Sequence, residues 1–80
     1  MRILITGITG RIGANLAVAL GDAGHEVVGI VWPGDASTAK LDAYGFELHE
    51  GSVTSAEDMR RVSAGAKAIY HLGAAFRKIW

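Results

Sequence analysis

The chain has 80 residues, half of them hydrophobic, with eight basic side chains balanced by eight acidic ones and no cysteine. That length admits one domain with a small core and marginal stability, and the neutral, unclustered charge excludes a nucleic-acid or anionic-membrane footprint. Without cysteine there is no disulfide framework or thiolate site, and His25, His49 and His71 lack the spacing of a zinc cluster, so no metal is expected.

Met1 leads straight into the apolar run Ile3-Leu4-Ile5, with no basic and apolar leader before it. Neither a signal peptide nor a membrane span is expected, and the cytoplasm is the expected location. Residues 2–6 read as a first strand. A helix is predicted over residues 11–23, with Ile12, Leu16, Ala17 and Leu20 on one face, Asn15 and Asp22 away from it, and Gly24 ending it. Residues 26–31 form the second predicted strand. Between residues 35 and 44 a shorter helix is predicted, with Asp35 or Ser37 capping its start, Leu41 and Tyr44 packing inward, and Gly45 taking the left-handed conformation at its end. Residues 46–50 form the third strand. The next helix has the clearest start, since Ser55 and Asp58 stand in capping-box spacing, Met59 and Val62 make an apolar stripe, and Gly65 closes it. Residues 67–72 form the fourth strand, and there are no repeats and no linker.

Alternation of strand and helix implies an α/β fold with a parallel sheet, because antiparallel neighbours need no helical crossovers. Right-handed crossovers place the first two helices on one face and the third on the other, with strand order 3-2-1-4. A single helix cannot cover one whole face of four strands, and the fourth strand ends the sheet. An exposed patch and a bare edge are therefore expected.

The run Gly7-Ile8-Thr9-Gly10-Arg11-Ile12-Gly13 lies between the first strand and the first helix. In such a turn Gly7 permits the tight exit from the strand, Gly10 lets backbone approach a phosphate, and Gly13 allows close packing of helix on strand. The unpaired amides and partial positive charge at the helix start favour an anion there.

With Thr6 ahead of these glycines, the pattern resembles the extended short-chain dehydrogenase/reductase superfamily, in particular its NAD-dependent epimerase/dehydratase family. The likeness extends through Gly24-His25-Glu26-Val27-Val28, Gly51-Ser52-Val53 and His71-Leu72-Gly73-Ala74-Ala75. It implies a partial Rossmann fold and a bound NAD or NADP. Gly7, Thr9 and Gly13 would belong to the cofactor site, with the pyrophosphate over Gly10, Arg11 and Ile12, adenine near Ser52 and Val53, and the nicotinamide side near Leu72, Gly73 and Ala74.

Two positions depart from that family. Its NAD-preferring members carry an acidic residue at the end of the second strand and many NADP-preferring ones an arginine, whereas here Ile30-Val31-Trp32 ends the strand. Trp32 would either stack on adenine or cover the sheet edge, Arg11 or Lys40 would be within range of a 2′-phosphate, and the preference stays open. Ser52 stands where the family usually has an aspartate for the adenine amino group, which implies a weaker contact. His71 falls where the resemblance places a structural histidine, His25 and His49 read as solvent-exposed, and Arg60 and Arg61 read as a solvated helix face.

The family's catalytic tyrosine precedes a lysine by four residues, and no such pair exists here: Tyr44 is followed at that spacing by Leu48 and Tyr70 by Ala74. The resemblance therefore implies a single domain over residues 1–80, the N-terminal cofactor-binding part of an epimerase, dehydratase or reductase. This part would bind the dinucleotide without catalysing, with no catalytic residue of its own. The alternative is a stand-alone noncatalytic module that self-associates through its sheet edge and binds nucleotide weakly or not at all. Under either reading a homo-oligomer formed through the fourth strand or the uncovered face is expected, without nucleic-acid or membrane partners.

Overall fold

A computed structural model describes residues 1–72, except the side chains of residues 36, 37 and 42. Four strands, β1 (Arg2–Thr6), β2 (Glu26–Val31), β3 (Glu47–Glu50) and β4 (Ala68–His71), form one sheet in the order β3-β2-β1-β4. All three pairings are parallel, with Ile3 opposite Val27 and Ala68, and Val28 opposite Glu47. The two central strands read as continuous apolar runs because both of their faces are covered.

Alternation along the strands divides the core in two. Ile3, Ile5, Val27 and Val31 point to one face, where they meet Ala17 and Leu41 with Leu16 and Leu20 packed alongside. Leu4, Val28 and Ile30 point to the other, against Val62, Met59 and Val53. These are the two faces expected from right-handed crossovers.

The helices differ from expectation in number. Helix α1 (Arg11–Asp22) and helix α2 (Ala56–Val62) are α-helical, but Ala36–Tyr44 is a 3₁₀ segment, so the described residues form two α-helices rather than three. Its sequence explains the difference. Leu41 is buried there but no apolar stripe at helical spacing accompanies it, and the Thr38 hydroxyl and amide both turn back to the Asp35 carbonyl, at 3.0 and 3.3 Å. Such local bonds compete with the α-helical ladder. Tyr44 does not pack inward: it is 54% exposed and stacks on Phe46, with ring centroids 5.5 Å apart.

Helix α2 begins on half of the expected capping box. The Ser55 hydroxyl accepts the Asp58 N–H at 3.1 Å, while the Asp58 carboxylate turns to the Ser52 N–H at 2.9 Å and to Arg61 at 3.3 Å. The histidines also find partners. His49 meets Glu47 at 2.6 Å, and His25 Nδ1 lies 3.4 Å from the N-terminal amine, so neither is the fully solvated side chain expected.

At the N-terminal ends of the strands, Arg2 joins three of them, donating to Glu26 at 2.6 Å and to Glu47 at 2.7 Å. The hydrogen bond from Arg2, and then that from His49, hold the Glu47 carboxyl well below its usual 4.5, at about 2. Because the folded value is depressed, the linked stability is present above the unfolded value of 4.5 and lost as pH falls toward 2. Glu47 is 42% exposed, so solvent screening limits the contribution to about 1 kcal/mol or less. Urea titrations across this acid range should show wild-type stability falling more steeply than that of Glu47→Gln. Equal slopes would exclude the linkage.

The described part of β4 is half open on both faces. Ile69, opposite Leu4, is 52% exposed, and Tyr70, opposite Ile5, is 42% exposed. Among the described residues β4 ends the sheet, with exposed apolar side chains on both faces.

Candidate functional site

The glycine turn is assembled from three distinct constraints. Gly7 adopts φ 73°, a left-handed conformation that a side chain would strain. The Gly10 N–H closes the turn on the Gly7 carbonyl at 3.0 Å, and Gly10 caps α1 in an extended conformation. At Gly13 a Cβ would stand 2.1 Å from the Gly7 carbonyl oxygen and 2.9 Å from the Ile8 Cα, so the helix lies directly on the turn.

Two side chains hold this turn from outside. Ile8, fully buried, drops into the space left open by Gly29 of β2, where a Cβ would lie 2.8 Å from an Ile8 methyl. From the 3₁₀ segment, Lys40 Nζ donates to the Thr9 carbonyl at 2.6 Å. Sequence reasoning missed both. Ile8 reads only as a variable position between glycines, and no periodicity links Lys40 to a turn 31 residues away.

The first amide of α1 with a partner on the turn is that of Ala14, which donates to the Gly10 carbonyl at 2.8 Å. Among the described residues the amides of Arg11, Ile12 and Gly13 therefore have no backbone acceptor. The first turn of α1 carries no acidic side chain, so nothing there neutralises the partial positive charge. An open groove of about 460 Å³ lies over this point, lined by Gly7, Gly10, Arg11, Ile12, Gly13 and Leu72.

Ile12 belongs to this groove and not to the core. It is 72% exposed, contrary to its predicted place on the buried face, because a side chain in the first helical turn leans back toward the N-terminus and over the groove. Leu72, 42% exposed, reaches the same groove from the opposite side of the sheet, its N–H bonded to the Thr6 carbonyl at 3.2 Å. Gly73 and Ala74 lie outside the described residues. His71 is tied to Thr6, whose hydroxyl lies 2.8 Å from His71 Nδ1. That contact fixes the end of β4 beside the turn.

Trp32 lies on the other flank. It is 58% exposed and lines a second groove of about 470 Å³ with Val31, Gly34, Asp35, Thr38 and Glu50. Ser52 and Val53 occupy the turn after β3. The Ser52 hydroxyl is shared with Thr54 at 2.7 Å, and the Val53 side chain packs into the core beside Val28 and Ile30. The bond from the Ser52 amide, and then Arg61, hold the Asp58 carboxyl below its ordinary range, so Asp58 stays ionised and anchors this turn.

The strand order therefore gathers the glycine turn, Trp32, Ser52 and Leu72 along the C-terminal ends of the strands. The turn sits at the end of β1, where the order of strand addition switches from the β2 side to the β4 side. Crevices at such switch points are the ligand sites of open α/β sheets.

Comparison with known proteins agrees with this arrangement. A model of the NAD dependent epimerase/dehydratase family matches residues 3–80. A 3-beta-hydroxysteroid dehydrogenase of Mycolicibacterium neoaurum is 35% identical over 74 residues, covering 91% of this chain and 19% of that protein. An uncharacterized protein of Schizosaccharomyces pombe is 35% identical over 71 residues, covering 89% and 24%. Among solved structures, a putative epimerase from Burkholderia cenocepacia superposes with TM-score 0.72 at 34% identity, covering 91% of this chain and 25% of that one. A short-chain dehydrogenase/reductase superfamily protein from Agrobacterium tumefaciens with bound NAD gives TM-score 0.70 at 30% identity, covering 92% and 20%. A nucleoside-diphosphate-sugar epimerase from Pseudomonas aeruginosa gives TM-score 0.81 at 22% identity, covering 89% and 23%, a likeness that bears on the fold alone. The chain spans a quarter or less of each of these proteins.

Proposed function

Because the chain belongs to the NAD dependent epimerase/dehydratase family, we propose that it is the dinucleotide-binding part of an epimerase-, dehydratase- or reductase-like enzyme, taking NAD(H) or NADP(H). The observation that carries this reading is the phosphate cradle. Three helix-start amides without backbone acceptors face a groove whose floor is kept free of side chains by Gly10 and Gly13. The fit is chemical as well as spatial, since a diphosphate supplies the acceptor oxygens and negative charge that those amides lack.

In this reading Arg11, Ile12 and Gly13 would hold the pyrophosphate through their amides, with Gly7 and Thr9 shaping the turn. The Trp32 indole and the turn at Ser52 and Val53 would receive the adenosine. Leu72, Gly73 and Ala74 would flank the nicotinamide half. The bound nicotinamide would supply a hydride acceptor or donor. The chain's own residues orient the dinucleotide and exclude water from one side of it. Proton transfer is assigned to no residue of this chain.

A second reading has its own observation. The half-open strand β4 and Leu72 just after it, with Ile69, Tyr70 and Leu72 all more than 40% exposed, support a noncatalytic module that self-associates and binds nucleotide weakly or not at all. Calorimetric titration of the 80-residue chain with NADH and NADPH separates the two. The first reading expects saturable, one-to-one binding of at least one dinucleotide. Absence of a saturable signal with both would remove it and leave the second.

A further inference from the structure

We propose that Lys40 is a positioning residue that locks the Thr9–Gly10 peptide plane and so keeps a carbonyl oxygen out of the phosphate groove, an inference that rests on the dinucleotide reading above. Two hydrogen bonds fix this one peptide group from its two ends. Its N–H, on Gly10, donates to the Gly7 carbonyl at 3.0 Å, and its carbonyl, on Thr9, accepts from Lys40 Nζ at 2.6 Å. Lys40 stands in the wall of a separate cavity between α1 and the 3₁₀ segment, with Asn15, Leu41 and Tyr44, and not in the groove over the glycine turn. The Thr9 oxygen is therefore held on the side of the 3₁₀ segment, away from the open amides of residues 11–13.

Gly10 is what makes such a lock necessary. Turning a peptide plane over rotates ψ of the residue before it and φ of the residue after it by about 180°, which would carry Gly10 from φ −75° into the positive region. A side chain makes that conformation costly, but glycine adopts it readily. The residue that lets a diphosphate approach thus also leaves the plane free to turn. In the turned state the Thr9 oxygen would point toward the groove, and its dipole would oppose the anion that the helix-start amides attract. The Gly10–Gly7 bond joins two neutral groups, whereas the bond from Lys40 is charge-assisted and the stronger kind. The surroundings do not hang on Lys40: Ile8 is buried against Gly29, and Leu41 fastens the 3₁₀ segment to the core. Removing the ammonium therefore frees one peptide plane and leaves the fold in place.

The test is amide hydrogen exchange by NMR on the unliganded chain, with NADH and NADPH titrations beside it, for the wild type, Lys40→Met, Lys40→Arg and the double variant Lys40→Met with Gly10→Ala. In Lys40→Met the residue 10 amide is expected to lose about tenfold in protection while the amides of the central strand β1 keep theirs. Lys40→Arg is expected to restore the protection. So is the alanine of the double variant, which disfavours the turned plane without any ammonium, a correction that a merely structural role for Lys40 would not show. Both dinucleotides are expected to bind Lys40→Met about tenfold more weakly, and alike, because the plane borders the diphosphate they share. Unchanged protection of residue 10 in Lys40→Met overturns the lock even if binding weakens, since Lys40 then acts as a nearby charge alone. Lost protection that Gly10→Ala leaves uncorrected overturns it as well. A wild type that binds neither dinucleotide overturns the dinucleotide reading and the role of the lock in binding, a result told apart from failure of the lock itself by the exchange rates. Should Lys40→Met fail to fold, by far-ultraviolet circular dichroism, Lys40→Gln, one atom shorter and uncharged, takes its place.

Discussion

Gly13→Ala is expected to destabilise the chain by about 3 kcal/mol or more, whereas Gly10→Val is expected to leave it folded and abolish dinucleotide binding. The Cβ at residue 13 would lie 2.1 Å from the Gly7 carbonyl oxygen and 2.8 Å from its carbonyl carbon. Both obstacles are backbone, pinned by the β1 ladder on one side and by buried Ile8 on the other, so neither can swing aside. A chain of 80 residues has a total stability of roughly 4–12 kcal/mol, and the lesion removes a large share of it. At Gly10 the nearest obstacle is the same oxygen at 3.3 Å, a tight but adjustable contact. Gly10 also lies at φ −75°, which any residue adopts. A valine there would fill the space where a diphosphate approaches the amides of residues 11–13. Chemical denaturation and NADPH titration of the two variants check both halves. Equal stability losses would contradict the separation, and retained binding in Gly10→Val would place the dinucleotide elsewhere.

The unsubstituted chain is expected to self-associate through β4, and Ile69→Lys is expected to give a monomer without lowering its thermal stability. Among the described residues, β4 in the parallel order β3-β2-β1-β4 has no strand paired on its outer side, and Ile69 and Tyr70 extend apolar surface to either side of it. Pairing of two such edges would bury these side chains, a gain of about 1.5–3 kcal/mol for each that becomes fully covered. A lysine keeps its charge in water and blocks the flat approach of a second edge. Because Ile69 is already half exposed in the single chain, its loss takes little from the core. Sedimentation velocity at micromolar concentration should show dimers or larger species for the wild type. The variant should show monomer, its association weakened by on the order of tenfold or more. A wild-type chain that sediments as a folded monomer would sink the self-association.

Much of the site was legible in the chain because it is built from local pattern. Gly7, Gly10 and Gly13 follow a β-branched run and open an amphipathic segment, and that spacing specifies a strand, a turn and a helix start without reference to anything distant. The two covered faces of the sheet were legible from the handedness of the crossovers. Legibility failed where a residue's surroundings come from far along the chain. Ile12 has the spacing of a core position, yet its place above the groove follows from where the helix starts relative to the sheet. The Ala36–Tyr44 segment contains residues that helices tolerate, but its lack of an apolar stripe and the back-bonding of Thr38 left nothing to favour the α form.

The sequence by itself determined the alternating α/β order, the strand order, the phosphate-type turn and the family to which they belong. Each depends on short-range spacing and on the handedness of the connections. Only the tertiary structure decided that Lys40 reaches Thr9, that Gly29 makes room for Ile8, that Asp58 anchors Ser52 and that Arg2 ties three strands together. These contacts join residues that parallel pairing, crossover connections and turns bring together, and side chains of such varied type leave no periodic trace. The glycine turn is a local property of the chain, and the side chains that hold it in place, Ile8 and Lys40, are brought there by the fold.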